Sequence, residues 1–338
     1  MTKIIKSRLA SAGNPFLNIN SLSWMYKLRR FEKSREAVAI MSSDTNSPAV
    51  VAAEPAGNWF EEQRPFQASP GTPLTLFRDE HQRRILDPEL RHFLEDRQAA
   101  RAASEDLANI PATIDREGYY DDRHLAYWLS GLHDYRNISR HVDLIAGDKV
   151  LDFGGASGRV ARHFSVSHPD VDVIIGDINR NHIDYVNQHL ADNVAGVRLS
   201  GQPTIPFADK SFKMIYGISV FTHIDVFETS WLAELERVLS PGGVAWLTFH
   251  SEHTWKILPS THLHHAIKNN PAFLNIWNGG DQLPSERLVF SHGRGIEYSC
   301  NVFHHTDYIR RIWGKFFGIK EILIGEHGYH AVAVLTKR

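Results

Sequence analysis

The stretch VLDFGGASGRVARHF, Val150–Phe164, predicts a strand, a tight glycine-rich turn and the beginning of a helix. Apolar residues surround Asp152 before the turn, and Gly154, Gly155 and Gly158 lie within it. Glycine allows the backbone to adopt conformations that other residues avoid and to approach a ligand closely. The helix N-terminus that follows such a turn attracts an anionic group. The stretch therefore predicts a turn that contacts a ligand.

The chain after Lys149 alternates between apolar strands and helical segments. The strand candidates are KVLDF, VDVIIGD, FKMIYGIS and VAWLTFH, and the helical segments lie near residues 158–167, 180–192 and 226–239. This alternation predicts an α/β fold with an open, doubly wound, mostly parallel sheet covered by helices on both faces. Residues 251–300 interrupt the alternation as an insert that contains His, Pro and Gly, and Asp307–Lys337 predicts a helix followed by two strands.

Two segments precede this α/β part. Residues 1–75 form an irregular, basic leader and linker, and residues 76–145 form a helical segment that we expect to cover the site. Within the helical segment, Arg78–Asn109 is predicted to be a helix that ends near Pro111. A further helix, capped by Asp121 or Asp122, is predicted to run through His141.

The basic leader has an amphipathic stretch. Trp24, Leu28 and Phe31 recur at helical spacing beside basic residues, which favours weak peripheral contact with a membrane surface or an acidic partner. A helix that packs on the domain is the alternative interpretation.

Composition excludes several classes of protein. The formal net charge of −2 gives no chain-wide electrostatic attraction for nucleic acid, so no nucleic acid partner is expected. The single cysteine, Cys300, cannot form an internal disulfide or a C-x-x-C zinc site, so we expect a buried thiol and a cytoplasmic protein. The sequence contains no run of about 18 uncharged apolar residues, so no membrane span is predicted.

The glycine turn does not fit the common nucleotide motifs. A G-x-G-x-x-G fingerprint that starts at Gly154 fails at Ala156 and Arg159, and the chain has no G-x-x-x-x-G-K-[ST] sequence. The carboxylate of Asp152 would repel a pyrophosphate, whereas S-adenosylmethionine (SAM) brings an ammonium and a sulfonium for an acidic group. Asp177, nineteen positions after Gly158, ends the second strand where it would accept both ribose hydroxyls.

These segments resemble the class I (Rossmann-like) SAM-dependent methyltransferases. LDFGGASG with GDIN resembles their first two motifs, IPFADKSFKMIYGISVFTHI their fourth-strand region, and ELERVLSPGGVAWLTFH the helix, turn and fifth strand. The resemblance spans about residues 121–338 and implies that residues 146–338 are a SAM-binding methyltransferase domain whose last strand is antiparallel. The closing stretch from Ile309 resembles a subgroup that acts on small molecules or glycans.

The resemblance implies which residues contact SAM. These are Asp152, Gly154, Gly155, Ser157, Gly158, Asp177, Ile178, Gln202 and Ser219. Two positions depart from the family pattern. Ala156 replaces a common glycine, which is tolerable if its φ is negative. Gln202 replaces a common acid, and its amide could still hydrogen-bond the adenine amino group.

Methyl transfer is a direct displacement that depends mainly on alignment and exclusion of water. A hydroxyl acceptor also benefits from a base, and His223, just past the fourth strand, is the candidate. A histidine that caps a helix or packs under a loop is the alternative. The Asn/Asp-Pro-Pro-Tyr/Phe pattern is absent, which disfavours methylation of an exocyclic nucleobase nitrogen. Tyr119, Tyr120 and Tyr127 are candidates either for contact with the sulfonium or for ordinary packing.

The twenty histidines do not predict a metal site. His250, His253, His262, His264 and His265 crowd one segment without a neighbouring acidic or sulfur ligand in a recognised spacing. His304 and His305 are second candidates for the acceptor pocket.

The sequence thus predicts SAM-dependent O-methylation of a small molecule, sugar or glycan intermediate. A non-catalytic SAM- or nucleotide-binding protein and, less favoured, a nicotinamide-dependent oxidoreductase remain as alternatives. The sequence gives no indication of oligomeric state.

Overall fold

A computed structural model of the protein describes residues 80–116, 119–292 and 298–338. All of them lie within one compact unit of the chain. The predicted leader, residues 1–75, with its proposed amphipathic stretch, lies outside the described residues. Among the residues that are described, no helix has the length and hydropathy needed to cross a membrane.

A seven-stranded sheet forms the centre of the unit, in the order β3-β2-β1-β4-β5-β9-β8. β1 to β5 run parallel, whereas β9 pairs antiparallel with both β5 and β8. This confirms the predicted open, mostly parallel sheet with an antiparallel last strand. The strands are β1 Lys149–Phe153, β2 Asp172–Asp177, β3 Val194–Arg198, β4 Phe212–Gly217, β5 Leu239–Phe249, β8 Phe317–His327 and β9 His330–Lys337.

Side chains alternate between the two faces of the sheet, and helices bury both faces. On one face, Leu151 and Phe153 pack in a cluster with Trp231 of α6. On the other, Val150 packs in a cluster with Phe164 of α4. This two-sided burial explains why the apolar residues of β1, Val150, Leu151 and Phe153, point to both faces. The helices around the sheet are α3 His124–Ser139, α4 Ala161–Ser167, α5 Arg180–His189, α6 Glu228–Val238 and α10 Thr306–Ile312.

The predicted helical stretch Arg78–Asn109 is not one continuous helix. The chain instead forms α1 Glu80–Arg84, a 3-10 helix Pro88–Glu95 and α2 Arg97–Glu105. Pro88 starts the 3-10 helix because proline suits a first helical position. The Asp96 side chain accepts hydrogen bonds from the backbone N–H groups of Gln98 and Ala99, so it begins a new helix.

The predicted cap of the next helix is also wrong. The N-cap of α3 is Arg123, which makes no side-chain capping bond, and α3 ends at Ser139 rather than His141. Tyr120 and Asp121 adopt φ values of +65° and +41°. This left-handed turn, which follows a short 3-10 helix Thr113–Arg116, positions the start of α3 instead of a capping side chain.

The insert has regular structure of its own. It contains α7 Glu252–Ile257, a 3-10 helix Leu258–Ser260, α8 His262–Ile267, α9 Pro271–Ile276 and β6 Arg287–Ser291, which pairs antiparallel with β7 Cys300–His304. Trp255, Phe273, Phe290 and Phe303 form a separate buried cluster there. The insert therefore has its own apolar core beside the sheet.

The sheet order reverses between β1 and β4. β1 is followed along the chain by its neighbour β2 on one side, whereas β4 lies on its other side. In open α/β sheets the carboxyl ends of the strands at such a reversal border a ligand-binding crevice. The glycine turn after β1 lies at this edge, and so does the β8–β9 turn, because β9 runs antiparallel to β5.

Candidate functional site

A cavity of about 1540 Å³ opens at the carboxyl edge of the sheet, and we refer to it as the cleft. Its volume exceeds the roughly 300–1,000 Å³ of an ordinary small-molecule pocket. The cleft therefore has room for a second molecule beside a cofactor. Part of its wall comes from residues at the strand ends, in the glycine turn 152–160, the β2 end 176–179 and the β4 end 218–224. Further parts come from the β7 region 298–301, the β8–β9 turn 327–330 and some of residues 87–134. Single residues at positions 182, 199, 231, 262 and 292 also line the cleft.

The glycine turn has no space for larger residues. Gly154 and Gly158 have φ values of +72° and +81°. A Cβ atom on Gly154 would lie 2.5 Å from Val220 Cγ2, and one on Gly155 would lie 2.3 Å from the carboxyl carbon of Asp152. The glycines at these positions therefore bring the backbone close against the ends of β1 and β4.

Ala156 differs from the sequence expectation of a negative φ. Its φ is +46°, in the left-handed region that disfavours residues with a side chain. The backbone N–H of Ala156 donates to Asp177 Oδ2 at 2.8 Å, which holds the strained conformation. The acid at the end of β2 thus fixes the turn after β1.

Asp177 lies where the sequence predicted it, at the tip of β2 in the cleft wall. Its second oxygen, Oδ1, accepts the backbone N–H of Asn179 at 2.7 Å. A carboxylate oxygen can accept more than one hydrogen bond. Asp177 can therefore support the glycine turn and still accept hydrogen bonds from a ligand.

Asp152 is a buried acid directly beneath the turn, and it is 5 % exposed. The Tyr216 hydroxyl donates to its Oδ2 at 2.8 Å. Burial raises the pKa of Asp152 to about 7, since this hydrogen bond and the Arg159 charge offset only part of the lost hydration. A cationic ligand in the cleft would favour the ionised form of this group.

Ser157, Ile178 and Ser219 also line the cleft. Ser219 has a φ of +58°, and its backbone N–H donates to Thr248 Oγ1 at 2.7 Å. Gln202 does not belong to this wall, because it lies exposed in the loop after β3. The buried residue that reaches the cleft there is Leu199, whose N–H donates to the Asp177 carbonyl oxygen at 2.8 Å.

His223 follows β4 at the wall of the cleft. Its Nδ1 lies 2.6 Å from the carbonyl oxygen of Cys300, and the Cys300 thiol lies 3.1 Å from the His223 carbonyl oxygen. A carbonyl only accepts hydrogen bonds, so the proton of neutral His223 is on Nδ1 and the lone pair is on Nε2. Burial raises the pKa of the Cys300 thiol to about 12, and the predicted buried thiol is confirmed.

Part of the cleft wall belongs to a segment that matches a known family. Residues 150–243, from the glycine turn to β5, match the family model described as a methyltransferase domain. The match confirms the predicted resemblance to SAM-dependent methyltransferases. The cleft fits the cofactor, because the acids Asp152 and Asp177 line it beside the glycine turn and its volume admits a ligand of that size.

Curated relatives match this chain over only part of their own length. O-methyltransferase rstn1 of Aspergillus nomiae is 26% identical over 142 residues, which are 40% of this chain and 62% of that protein. The ubiquinone/menaquinone biosynthesis C-methyltransferase UbiE of Cupriavidus metallidurans is 33% identical over 118 residues, 33% of this chain and 46% of that protein. The chain spans less than two thirds of either relative.

Among solved structures, a TehB-like SAM-dependent methyltransferase from Corynebacterium glutamicum has a TM-score of 0.38. It is 18% identical and covers 61% of this chain and 88% of that chain.

Tyr119, Tyr120 and Tyr127 all border the cleft. Tyr119 is exposed, whereas Tyr127 is buried and packs edge to face against Tyr120, with ring centroids 6.0 Å apart. The Tyr127 hydroxyl lies 3.5 Å from Ser157 Oγ in the glycine turn. Tyr127 therefore joins α3 to the turn, and contact with the sulfonium stays a prediction.

His304 and His305, the second candidates for the acceptor pocket, do not line the cleft. His304 is fully buried, with Nε2 3.2 Å from Glu228 Oε1, and His305 caps α10 by accepting the N–H of Asp307. His250 is buried in a ring stack with His330. Across residues 80–116, 119–292 and 298–338, no group of three or more His, Cys, Asp or Glu residues could hold a metal ion.

The sequence interpretation missed several residues of the cleft. Asp134 of α3 accepts from Arg159 at 2.6 Å and pairs with His327 at 3.0 Å. Although burial alone would raise the pKa of Asp134, the Arg159 charge and His327 hold it well below its usual range. Asp134 could have been identified as a site residue, because it is an aspartate on the apolar face of a helix. The sequence HGYH, which contains His327, has no feature that indicates a site residue.

Proposed function

We propose that the protein transfers the methyl group of SAM to an oxygen atom of a small molecule, a sugar or a glycan intermediate. The observation that carries the proposal is the hydrogen bond from His223 Nδ1 to the Cys300 carbonyl oxygen, at 2.6 Å. It orients the imidazole at the wall of the cleft and leaves the lone pair on Nε2. A histidine held in this form is suited to take a proton from a hydroxyl acceptor.

SAM, when bound, supplies a methyl group on a positively charged sulfur. The protein contributes binding groups at Asp152, Asp177 and the glycine turn, and a base at His223. Because the methyl group moves by direct displacement, the alignment of acceptor and cofactor supplies much of the rate. The base matters chiefly for an acceptor whose hydroxyl must lose a proton.

The printed names of the relatives leave the methylated atom open. One relative is named an O-methyltransferase and the other a C-methyltransferase. We favour oxygen because His223, after β4, can accept the proton of a hydroxyl acceptor. The absence of the Asn/Asp-Pro-Pro-Tyr/Phe pattern in this segment disfavours only an exocyclic nucleobase nitrogen. A non-catalytic SAM-binding protein would need no oriented base at this position.

Substitution of His223 by Asn tests the proposed base. The Asn amide can still donate to the Cys300 carbonyl, but it lacks the basic Nε2. We expect kcat for methyl transfer to fall about 10²- to 10⁴-fold, the usual contribution of a general base, while the affinity for SAM changes little. The measurement is transfer of isotope-labelled methyl from SAM into a cell-extract metabolite, with calorimetry for SAM binding.

The matched control is His265→Asn, which changes an exposed histidine of α8 that does not line the cleft. Wild-type turnover in His223→Asn would remove His223 from the mechanism. No transfer by the wild-type protein with intact SAM binding would favour the non-catalytic alternative. The carbon chemical shift of the labelled methyl group distinguishes an O-methyl product from a C-methyl product.

The acceptor class, the weak membrane contact through the basic leader and the cytoplasmic location all stay predictions.

A further inference from the structure

Arg116 is a buried arginine at the wall of the cleft, and its guanidinium is not neutralised within the described chain. The residue is 3 % exposed and ends the 3-10 helix that precedes α3. Its Nη2 donates to Thr113 Oγ1 at 2.9 Å and to the Asp121 carbonyl oxygen at 2.7 Å, and it lies 3.0 Å from His124 Nδ1. These contacts fix the side chain through one nitrogen.

The other two guanidinium nitrogens have no such contacts. Nε and Nη1 of Arg116 are buried and meet no hydrogen-bond acceptor among the described residues. No described carboxylate forms an ion pair with Arg116, and the Asp121 carboxylate acts on it only at longer range. Burial lowers the pKa of Arg116, although an arginine remains charged at neutral pH.

Nearby arginines show what a paired guanidinium looks like in this protein. Arg162 pairs with Asp106 at 2.6 Å, Arg159 with Asp134 at 2.6 Å, and Arg123 with both oxygens of Asp87 at 3.0 Å. An isolated buried charge is costly, so buried charges are normally paired. The different environment of Arg116 indicates that its partner does not lie among the described residues.

We propose that Arg116 binds a carboxylate or phosphate group of a ligand in the cleft. Its guanidinium lies 5.0 Å from the ring centroid of Tyr127, whose hydroxyl is 3.5 Å from Ser157 of the glycine turn. This position is adjacent to the predicted cofactor site, and the inference rests on the proposed function to that extent. The anion has two sources, the carboxylate of SAM and an anionic group of the acceptor.

A binding cycle tests the first source. The wild-type protein and Arg116→Gln are titrated with SAM and with decarboxylated SAM, which keeps the sulfonium and the ammonium but lacks the carboxylate. If Arg116 binds the carboxylate, Arg116→Gln weakens SAM binding about 10- to 100-fold, as expected for a hydrogen-bonded charge pair. The same substitution changes binding of decarboxylated SAM by less than about threefold.

Inorganic phosphate tests the second source. It is added to the SAM-saturated proteins, and the melting temperature is followed. If the acceptor supplies the anion, phosphate raises the melting temperature of the wild type but not of Arg116→Gln. In that case Arg116→Gln does not weaken the binding of SAM more than the binding of decarboxylated SAM. Absence of both effects would overturn the proposal.

Three control variants are measured beside Arg116→Gln. Arg101→Gln removes a guanidinium that is paired with Glu105 and does not line the cleft, so neither effect is expected to change. Arg116→Lys keeps the charge and should retain part of the effect, which a loss of folding would not allow. Glu117 lies outside the described residues, so Glu117→Gln is included. If the SAM and phosphate effects of Arg116 are absent from the wild type and appear only when Glu117 is replaced by Gln, Glu117 is the partner of Arg116. That result would overturn the proposal.

Failure of the proposed function would give a different result. A wild-type protein that binds neither SAM nor decarboxylated SAM would contradict the proposed reaction. Phosphate would then be added to the wild type and to Arg116→Gln without SAM, and a rise in melting temperature of the wild type alone would still support an anion site at Arg116.

Discussion

Asp152 carries a proton in the folded protein under conditions in which a free aspartate has lost it. Burial raises its pKa to about 7 from a usual value of 3.8. Between these two values the folded state binds a proton that the unfolded state does not. The contribution of Asp152 to the free energy of unfolding therefore falls as pH rises through this window, by on the order of a few kcal/mol in total.

The same group makes SAM binding depend on pH. The ionised carboxylate favours a ligand with positive charges, so we expect affinity for SAM to rise by up to about tenfold for each pH unit up to about 7 and then to level off. Calorimetry across the range from about pH 5 to about pH 8 measures this dependence.

Asp152→Asn is the control for this dependence, because its amide oxygen can still accept the Tyr216 hydroxyl but cannot ionise. The variant should bind SAM weakly with a flatter pH profile. A wild-type profile that is flat below pH 7, or an equally steep profile in Asp152→Asn, would show that another group is responsible.

At the residue scale, sequence reasoning located the acids of the site but not their environments. Asp177 was predicted from its offset to the glycine turn. The positive φ of Ala156 was not predicted, because it depends on a hydrogen bond to Asp177, twenty-one residues away. Gln202 was expected in the site by resemblance, but the loop after β3 directs Leu199 there instead.

Contact between α3 and the glycine turn depends on one residue, Gly131. A Cβ atom at this position would lie 2.1 Å from the carbonyl oxygen of Arg159 and 3.0 Å from His163 Nε2. α3 also carries Tyr127 and Asp134, which line the cleft. The absence of a side chain at Gly131 therefore determines how closely this wall approaches the turn.

Gly131→Ala should destabilise the protein despite the better helix propensity of alanine. Propensity alone would stabilise α3 by about 1 kcal/mol. The steric clash with the Arg159 carbonyl should outweigh this, giving a net loss of about 1–3 kcal/mol in the free energy of unfolding and weaker SAM binding. Denaturant unfolding and calorimetry measure both quantities.

Gly314→Ala is the matched control, because the nearest atom to its added Cβ atom would be Ile319 Cγ1 at 3.7 Å, an ordinary contact. It should leave SAM binding unchanged. A Gly131→Ala protein that is more stable than the wild type would contradict the close packing of α3 on the turn.

At the element scale, the strands were predictable because they are buried on both faces and read as continuous apolar runs. The division of the first helical segment was not predictable, because its charged, alanine-containing sequence is typical of a continuous helix. In the structure a new helix, α2, begins after Asp96, which caps it. The helices and strand of the insert could not be assigned, since its apolar residues pack in a cluster that forms only in the folded chain.

At the scale of the whole molecule, the cleft combines segments that are far apart in sequence. The predicted cofactor site lies at the ends of β1, β2 and β4, and the sequence predicted these three strands correctly. The remaining walls come from the β7 region, the β8–β9 turn and residues before α3, and they include Arg116 and His327. No local pattern shows that these residues meet, so the nature of the acceptor could not be derived from the sequence.

The central claim is that the cleft at the carboxyl edge of the sheet binds SAM, and calorimetric titration of the wild-type protein tests it most directly. SAM, its demethylated product S-adenosylhomocysteine and NAD are each titrated at neutral pH. We expect saturable binding of one SAM or S-adenosylhomocysteine per chain and no binding heat with NAD. Saturable binding of NAD, with none of either SAM or S-adenosylhomocysteine, would contradict the account.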